Sequence, residues 1–184
     1  MTFLKRRTVL AAGATLTAGV SLRKPWAAAG TGLPDLSALK PSEGAALPEF
    51  RFTLADGTPR TLADYAGQGV VLNLWATWCV PCVAEMPALD SLARQVRDAG
   101  VVVLPLSSDR AGAPAVERFY RDKGVQSLPV LLDPRGEAAR ALGARGIPTT
   151  VLIGRDGKER GRLEGAADWA SETAVEAIRQ VLGG

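Results

Sequence analysis

Val70-Val71-Leu72-Asn73-Leu74-Trp75-Ala76-Thr77-Trp78-Cys79-Val80-Pro81-Cys82-Val83-Ala84-Glu85-Met86-Pro87 runs from a near-continuous apolar segment into a Cys-x-x-Cys, then into a helical pattern. Val70 to Trp75 is short, apolar and β-branched, the mark of a strand buried on both faces. From Val80 to Ala99 the period changes. Val83, Met86, Leu89, Leu92 and Val96 recur at steps of three or four, and Gly100 is the expected stop. Pro87 lies inside that helix, removes a backbone donor and should kink it one turn beyond Cys82.

Cys79 and Cys82 are the only cysteines of the chain. Disulfide exchange needs one exposed thiolate of lowered pKa and a second thiol to resolve the mixed disulfide. Cys79 stands where strand gives way to helix, and there the free N–H groups and the helix dipole favour an anion. Two intervening residues put the cysteines one helical turn apart, close enough to form a Cys79–Cys82 redox disulfide. Pro81 suits the first helical turn, where a missing N–H costs nothing. Cys82 should point inward. The expected roles are Cys79 as attacking nucleophile and Cys82 as resolving thiol.

Other residues are candidates with two readings each. Glu85 follows Cys82 by three residues, on the same helical face. Buried, it would have a raised pKa and exchange the Cys82 proton; exposed, it would be a solvated surface glutamate. Ile147-Pro148 precedes a strand. A cis bond there is accessible at modest cost and would offer a flat backbone edge to a substrate segment; the alternative is an ordinary trans proline at a loop-to-strand junction. Trp75 and Trp78 either shape the cleft beside Cys79 or fill the core.

Composition narrows the chemistry. The chain has 184 residues, 47% hydrophobic and 22% charged, ordinary for one globular domain. It has no histidine, which removes Ser-His and Cys-His triads and the commonest metal ligand. Two cysteines alone cannot make a tetrahedral zinc site, so neither a metal nor a cofactor is expected.

The first 29 residues read as an export signal. Lys5-Arg6-Arg7 precedes the apolar, Gly-containing stretch Thr8 to Leu22; Arg23-Lys24-Pro25-Trp26 and Ala27-Ala28-Ala29 then form an A-x-A cleavage region. The paired arginines before a weak apolar region point to twin-arginine export to the periplasm. If uncleaved, the segment would be an anchor, although about fifteen apolar residues fall short of the roughly twenty that span a bilayer. These residues hold five of the chain's cations and no acid, so removing them turns a net charge of +3 into −2. No basic patch remains to argue for nucleic acid.

The expected domains are the signal (1–29), a Gly/Pro/Ser/Ala-rich linker or irregular arm (30–46) and one folded domain (47–184). Within the last, Glu49 to Leu62 reads as a hairpin around Asp56-Gly57. Strands are expected at Val101–Leu106, Leu128–Leu132, Thr149–Ile153 and Lys158–Leu163. Helices are expected at Ala113–Lys123, Gly136–Leu142 and Trp169–Leu182. The last has Asp168 or Ser171 as its cap, and Trp169, Thr173, Ile178 and Leu182 among its inward positions. Strands alternating with helices give an α/β sheet with helices on both faces.

Trp78-Cys79-Val80-Pro81-Cys82, Pro87 and Gly146-Ile147-Pro148-Thr149 together resemble the thioredoxin-fold oxidoreductases. Asn73 to Cys82, Glu85-Met86-Pro87-Ala88-Leu89 and Asp168-Trp169-Ala170-Ser171 are similar to the TlpA branch, exported thiol–disulfide reductases that stand beside the ResA and CcmG types. The resemblance covers about Leu47 to Leu182. It implies a mixed sheet flanked by helices on both faces, with an N-terminal β-hairpin and a central insertion over Ala113 to Leu142. It implies that Pro148 is cis and that Glu85 matches the branch's buried glutamate. Thioredoxin's buried aspartate is matched by Asn73, which cannot titrate. The implied partners are client proteins with cysteine pairs, in cytochrome c maturation or copper-site assembly, and a membrane thiol electron donor. Some relatives carry a long N-terminal anchor helix and extra cysteines; this chain has neither, so a soluble periplasmic form is expected. Two further readings of the same pair are a net disulfide-forming oxidant and a copper(I) carrier, with Met86 as the nearest other soft donor. A purely structural disulfide is disfavoured, because so small a loop stabilises little.

Overall fold

The computed structural model describes residues 32–183. In chain order the elements are β1 (Lys40–Pro41), β2 (Phe52–Leu54), β3 (Pro59–Arg60), β4 (Gly69–Trp75), α1 (Val80–Val96), β5 (Val101–Ser107), α2 (Ala113–Lys123), β6 (Leu131–Leu132), α3 (Glu137–Ala141), β7 (Thr149–Ile153), β8 (Glu159–Glu164) and α4 (Glu172–Leu182). Short 3-10 turns lie at Leu36–Ala38, Leu62–Tyr65 and Arg97–Ala99. The signal expected over residues 1–29 lies outside the described residues. Among those described, no helix is long and apolar enough to cross a membrane.

The strands form one mixed sheet in the order β1-β8-β7-β4-β5-β6-β2-β3. β4, β5 and β6 run parallel, while β7 is antiparallel to β4 and β8 to β7. All seven residues of β4 are buried, as expected of a central strand covered on both sides. Its side chains alternate between two cores. Val71 and Trp75 face α1, α2 and α4, with Met86, Leu89, Val116 and Ile178. Val70, Leu72 and Leu74 face the other side, with Ala138 and Leu142 of the α3 region and Leu62. Gly69 opens the strand where α4 ends: a Cβ there would meet the Leu182 carbonyl oxygen at 2.6 Å. The expected sheet, flanking helices, hairpin and insertion (α2, β6, α3) are all present.

Several boundaries differ. The hairpin ladder is shorter than expected, pairing only Phe52–Leu54 with Pro59–Arg60. Asp56-Gly57 does make the turn: Gly57 has φ +85°, and Asp56 Oδ1 accepts from Thr58 N. The strand expected over Leu128–Leu132 shrinks to Leu131–Leu132, and Pro129 has no N–H to add to a ladder. α4 begins at Glu172, not Trp169. Ser171 is its cap, accepting from Ala174 N, while Asp168 Oδ1 accepts from Ala170 N in a local turn. With the start moved, the helical phase moves too. Thr173 is exposed, and Ala174, Val175, Ile178 and Leu182 face inward.

Residues 32–46 are more ordered than a linker. Lys40 and Pro41 pair with Arg162 and Gly161 of β8, and Ala46 bridges to Lys158. Leu36 and Leu39 pack on the core that contains Trp169, and Asp168 N donates to Pro34 O at 2.7 Å.

Candidate active site

β4 ends at Trp75, and the chain makes a short turn before α1 begins. Cys79 N donates to Ala76 O at 3.2 Å in that turn. Cys79 is the N-cap of α1, with an extended backbone (φ −89°, ψ 104°), and its carbonyl accepts from Val83 N at 3.0 Å. Its Sγ accepts from Cys82 N at 3.3 Å. A sulfur anion at Cys79 would therefore meet a free helical N–H directly. Cys79 and Cys82 are joined, with Sγ–Sγ 2.04 Å and Cα–Cα 5.2 Å.

Cys82 is fully buried. Cys79 is 6% exposed, so it is the accessible sulfur of the pair, but it lies lower in the surface than the exposed nucleophile expected from sequence. Its Sγ sits 3.7 Å from the Ile147 carbonyl oxygen, and the Ile147–Pro148 bond is cis. Pro148 also accepts from Gly165 N at 2.9 Å, tying the loop before β7 to the loop after β8.

The two tryptophans divide. Trp75 is core, its ring 5.2 Å from Phe119 and 6.0 Å from Tyr120. Trp78 is 67% exposed and Val80 80% exposed, and with exposed Pro81 they form an apolar rim beside Cys79.

Glu85 is fully buried, which excludes the surface reading. Its Oε1 accepts from Asn73 Nδ2 at 2.9 Å. Its Oε2 accepts from Trp169 Nε1 at 2.9 Å and from Ala167 N at 3.0 Å. Burial pushes the carboxyl up from its ordinary 4.5 to about 7, against the pull of those three donors. Asn73 reaches it because residue 73 shares the α1 face of β4 with Val71 and Trp75. The other Asn73 donor bond goes to Thr150 Oγ1 on the facing strand β7, at 2.9 Å.

Two contributors were not read from sequence. Asp109, buried just beyond β5, accepts from Thr77 N at 2.9 Å, Thr77 Oγ1 at 2.6 Å and Ser107 Oγ at 2.7 Å. It braces the turn that carries Trp78 and Cys79. A polar Ser107-Ser108-Asp109 run at the end of an apolar strand was its only signal. Trp169 was legible as a buried aromatic, but not as a partner of Glu85.

A buried pair of bridged cysteines at a helix N-terminus, beside a proline loop on a thioredoxin-like sheet, defines the class: a thiol–disulfide oxidoreductase. The chain belongs to the Redoxin family, whose model matches residues 42–178, and to its TlpA/ResA/CcmG branch. It is similar to the thiol-disulfide oxidoreductase ResA of Bacillus thuringiensis, 35% identical over 122 residues that make up 66% of this chain and 69% of the relative. ResA of Geobacillus thermodenitrificans is 35% identical over 124 residues, with the same shares. Among solved structures, the exposed lipoprotein thioredoxin Etrx1 of Streptococcus pneumoniae is 29% identical with TM-score 0.61, the match covering 73% of this chain and 100% of that one. A Chlorobium tepidum protein assigned as a DsbE-type thiol:disulfide interchange protein is 28% identical with TM-score 0.63, covering 76% and 94%.

Proposed function

We propose that this oxidoreductase works as a reductase of cysteines in exported client proteins. The carrying observation is the pairing of a buried resolving cysteine with a buried glutamate three residues on, one that has no cationic partner among the described residues to fix its charge. In the proposed cycle the Cys79 thiolate attacks a client disulfide, forming a Cys79–client bond and releasing one client thiolate. Glu85 takes the proton of Cys82. The Cys82 thiolate then attacks Cys79 Sγ, displaces the second client sulfur and leaves the Cys79–Cys82 bridge. The client gains two electrons, and the cysteine pair loses them. A membrane thiol donor then reduces the bridge, with Glu85 returning its proton to Cys82.

Neutral Glu85 also has a place in this pocket. The Asn73 amide can turn to offer Oδ1 to the acid proton, and Oδ1 has no hydrogen-bond partner among the described residues. Trp78, Val80, Pro81, Ile147 and Pro148 would line the docking groove. Apocytochrome c and copper-site assembly proteins are the client classes the branch suggests. The similarity to Etrx1, an exposed lipoprotein, and the arginine pair Arg6-Arg7 support work outside the cytoplasm, after twin-arginine export and removal of residues 1–29. The arm (30–46) and domain (47–184) would then form the mature protein.

Cys82→Ser should trap clients as mixed disulfides on Cys79, and Cys79→Ser should abolish dithiol-dependent reduction. If both variants reduce protein disulfides normally, the reading fails. A measured potential above about −200 mV would favour an oxidant instead.

A further inference from the structure

Glu85 is a buried carboxyl with no ion pair among the described residues. From α1 itself it shares a face with Cys82. β4 presents Asn73, β7 presents Thr150 behind Asn73, and the loop after β8 presents the Ala167 amide and the Trp169 indole. The charged groups of the surrounding elements are engaged elsewhere. Asp90 is held by Arg94 and the amides of Gln126 and Ser127, Glu164 by Arg145, and Asp168 by the Ala170 amide. Glu172 on α4 is exposed. Whatever keeps a charge on Glu85 must therefore come from neutral donors.

Of these donors, Trp169 is the one side chain held for the purpose from outside the strands. Its ring is fully buried. Its loop is tied at Gly165 to Pro148, and at Asp168 to Pro34 of the N-terminal arm. This packing holds the indole N–H against Glu85 Oε2 at 2.9 Å, and a preplaced buried donor stabilises an anion with little reorganisation.

We propose that Trp169 is a positioning residue for Glu85: its indole N–H, with the Ala167 amide, fixes the carboxylate behind the resolving cysteine so that it can carry charge without a counter-ion. This rests on the reading that Glu85 exchanges the Cys82 proton. Removing a donor that favours the charged form raises the pH at which the proton is given up.

The test is the pH–rate profile of dithiol–disulfide exchange for the parent protein, Glu85→Gln and Trp169→Phe. Phe fills most of the indole volume and lacks the N–H donor. The parent should show an inflection that Glu85→Gln abolishes. Trp169→Phe should move it upward by about one pH unit, the scale of one hydrogen bond to a charged group, which slows exchange at neutral pH about fivefold. An inflection retained in Glu85→Gln would overturn the role of Glu85 itself. An inflection lost there but unmoved in Trp169→Phe would overturn the role of Trp169 alone. A second measurement needs no Trp169 variant. The Trp169 indole ¹⁵N–¹H resonance of the parent should titrate with the same midpoint as the rate and stay flat in Glu85→Gln. A pH-independent indole resonance in the parent would also overturn the proposal.

Discussion

Glu85 ties the stability of the fold to pH. Its carboxyl is pushed up to about 7, so the folded state prefers it protonated. The stability this preference contributes is complete below the ordinary value near 4.5. It is lost as the pH rises through about 7, and amounts to at most about 3 kcal/mol. Chemical denaturation from about pH 5 to 8 should therefore show a decline that Glu85→Gln removes; an equal decline in that variant would assign it to other groups. The bridged cysteine pair was legible from spacing alone, because Cys-x-x-Cys at a strand-to-helix junction has few other uses. Glu85 was not. Three-residue spacing gives a helix face but not its depth, and depth here depends on Asn73, Ala167 and Trp169, from 12 to 84 residues away in sequence.

At the scale of elements, the junction between β4 and α1 is held from a neighbouring strand. Asp109, just past the end of β5, takes up the Thr77 amide and hydroxyl. The parallel pairing of Trp75 with Ser107 brings the two strand ends side by side. Asp109→Ala would leave the Thr77 N–H and the Ser107 hydroxyl short of a partner in a buried place. It should cost about 2–4 kcal/mol in equilibrium unfolding and slow exchange by loosening the turn. A loss under about 0.5 kcal/mol would mean that the turn holds itself. Most elements were legible because the period of apolar residues changes sharply, from continuous in β4 to three-or-four in α1. The start of α4 was not, since Trp169 fits the apolar spacing of the helix yet belongs to the loop before it. Burial and helical phase are separate signals, and only the cap at Ser171 distinguishes them.

Residues 32–183 form one sheet with two cores, and the redox centre lies where one of them meets the surface. The arm closes that arrangement. It was expected as a linker or irregular arm because Gly, Pro and Ser suggest no period, but two residues of pairing and two leucines suffice to seat it on β8. Such edge pairing depends on a neighbour some 120 residues away, as Lys40 opposite Arg162 illustrates, and no local pattern encodes it.

The neutrality of the groups around Glu85 has a further consequence, for behaviour in salt. Mobile ions screen exposed charges over a Debye length of about 8 Å at physiological ionic strength, and act far less on buried groups. The exchange inflection should therefore hold its position from about 0.02 to 0.5 M potassium chloride, while any client docking that relies on surface charge weakens over the same range. A displaced inflection in that titration would mean that a distant charge governs the carboxyl. If the chain is exported as proposed, to a place where salt follows the surroundings, such a centre would keep its proton chemistry constant while its medium changes.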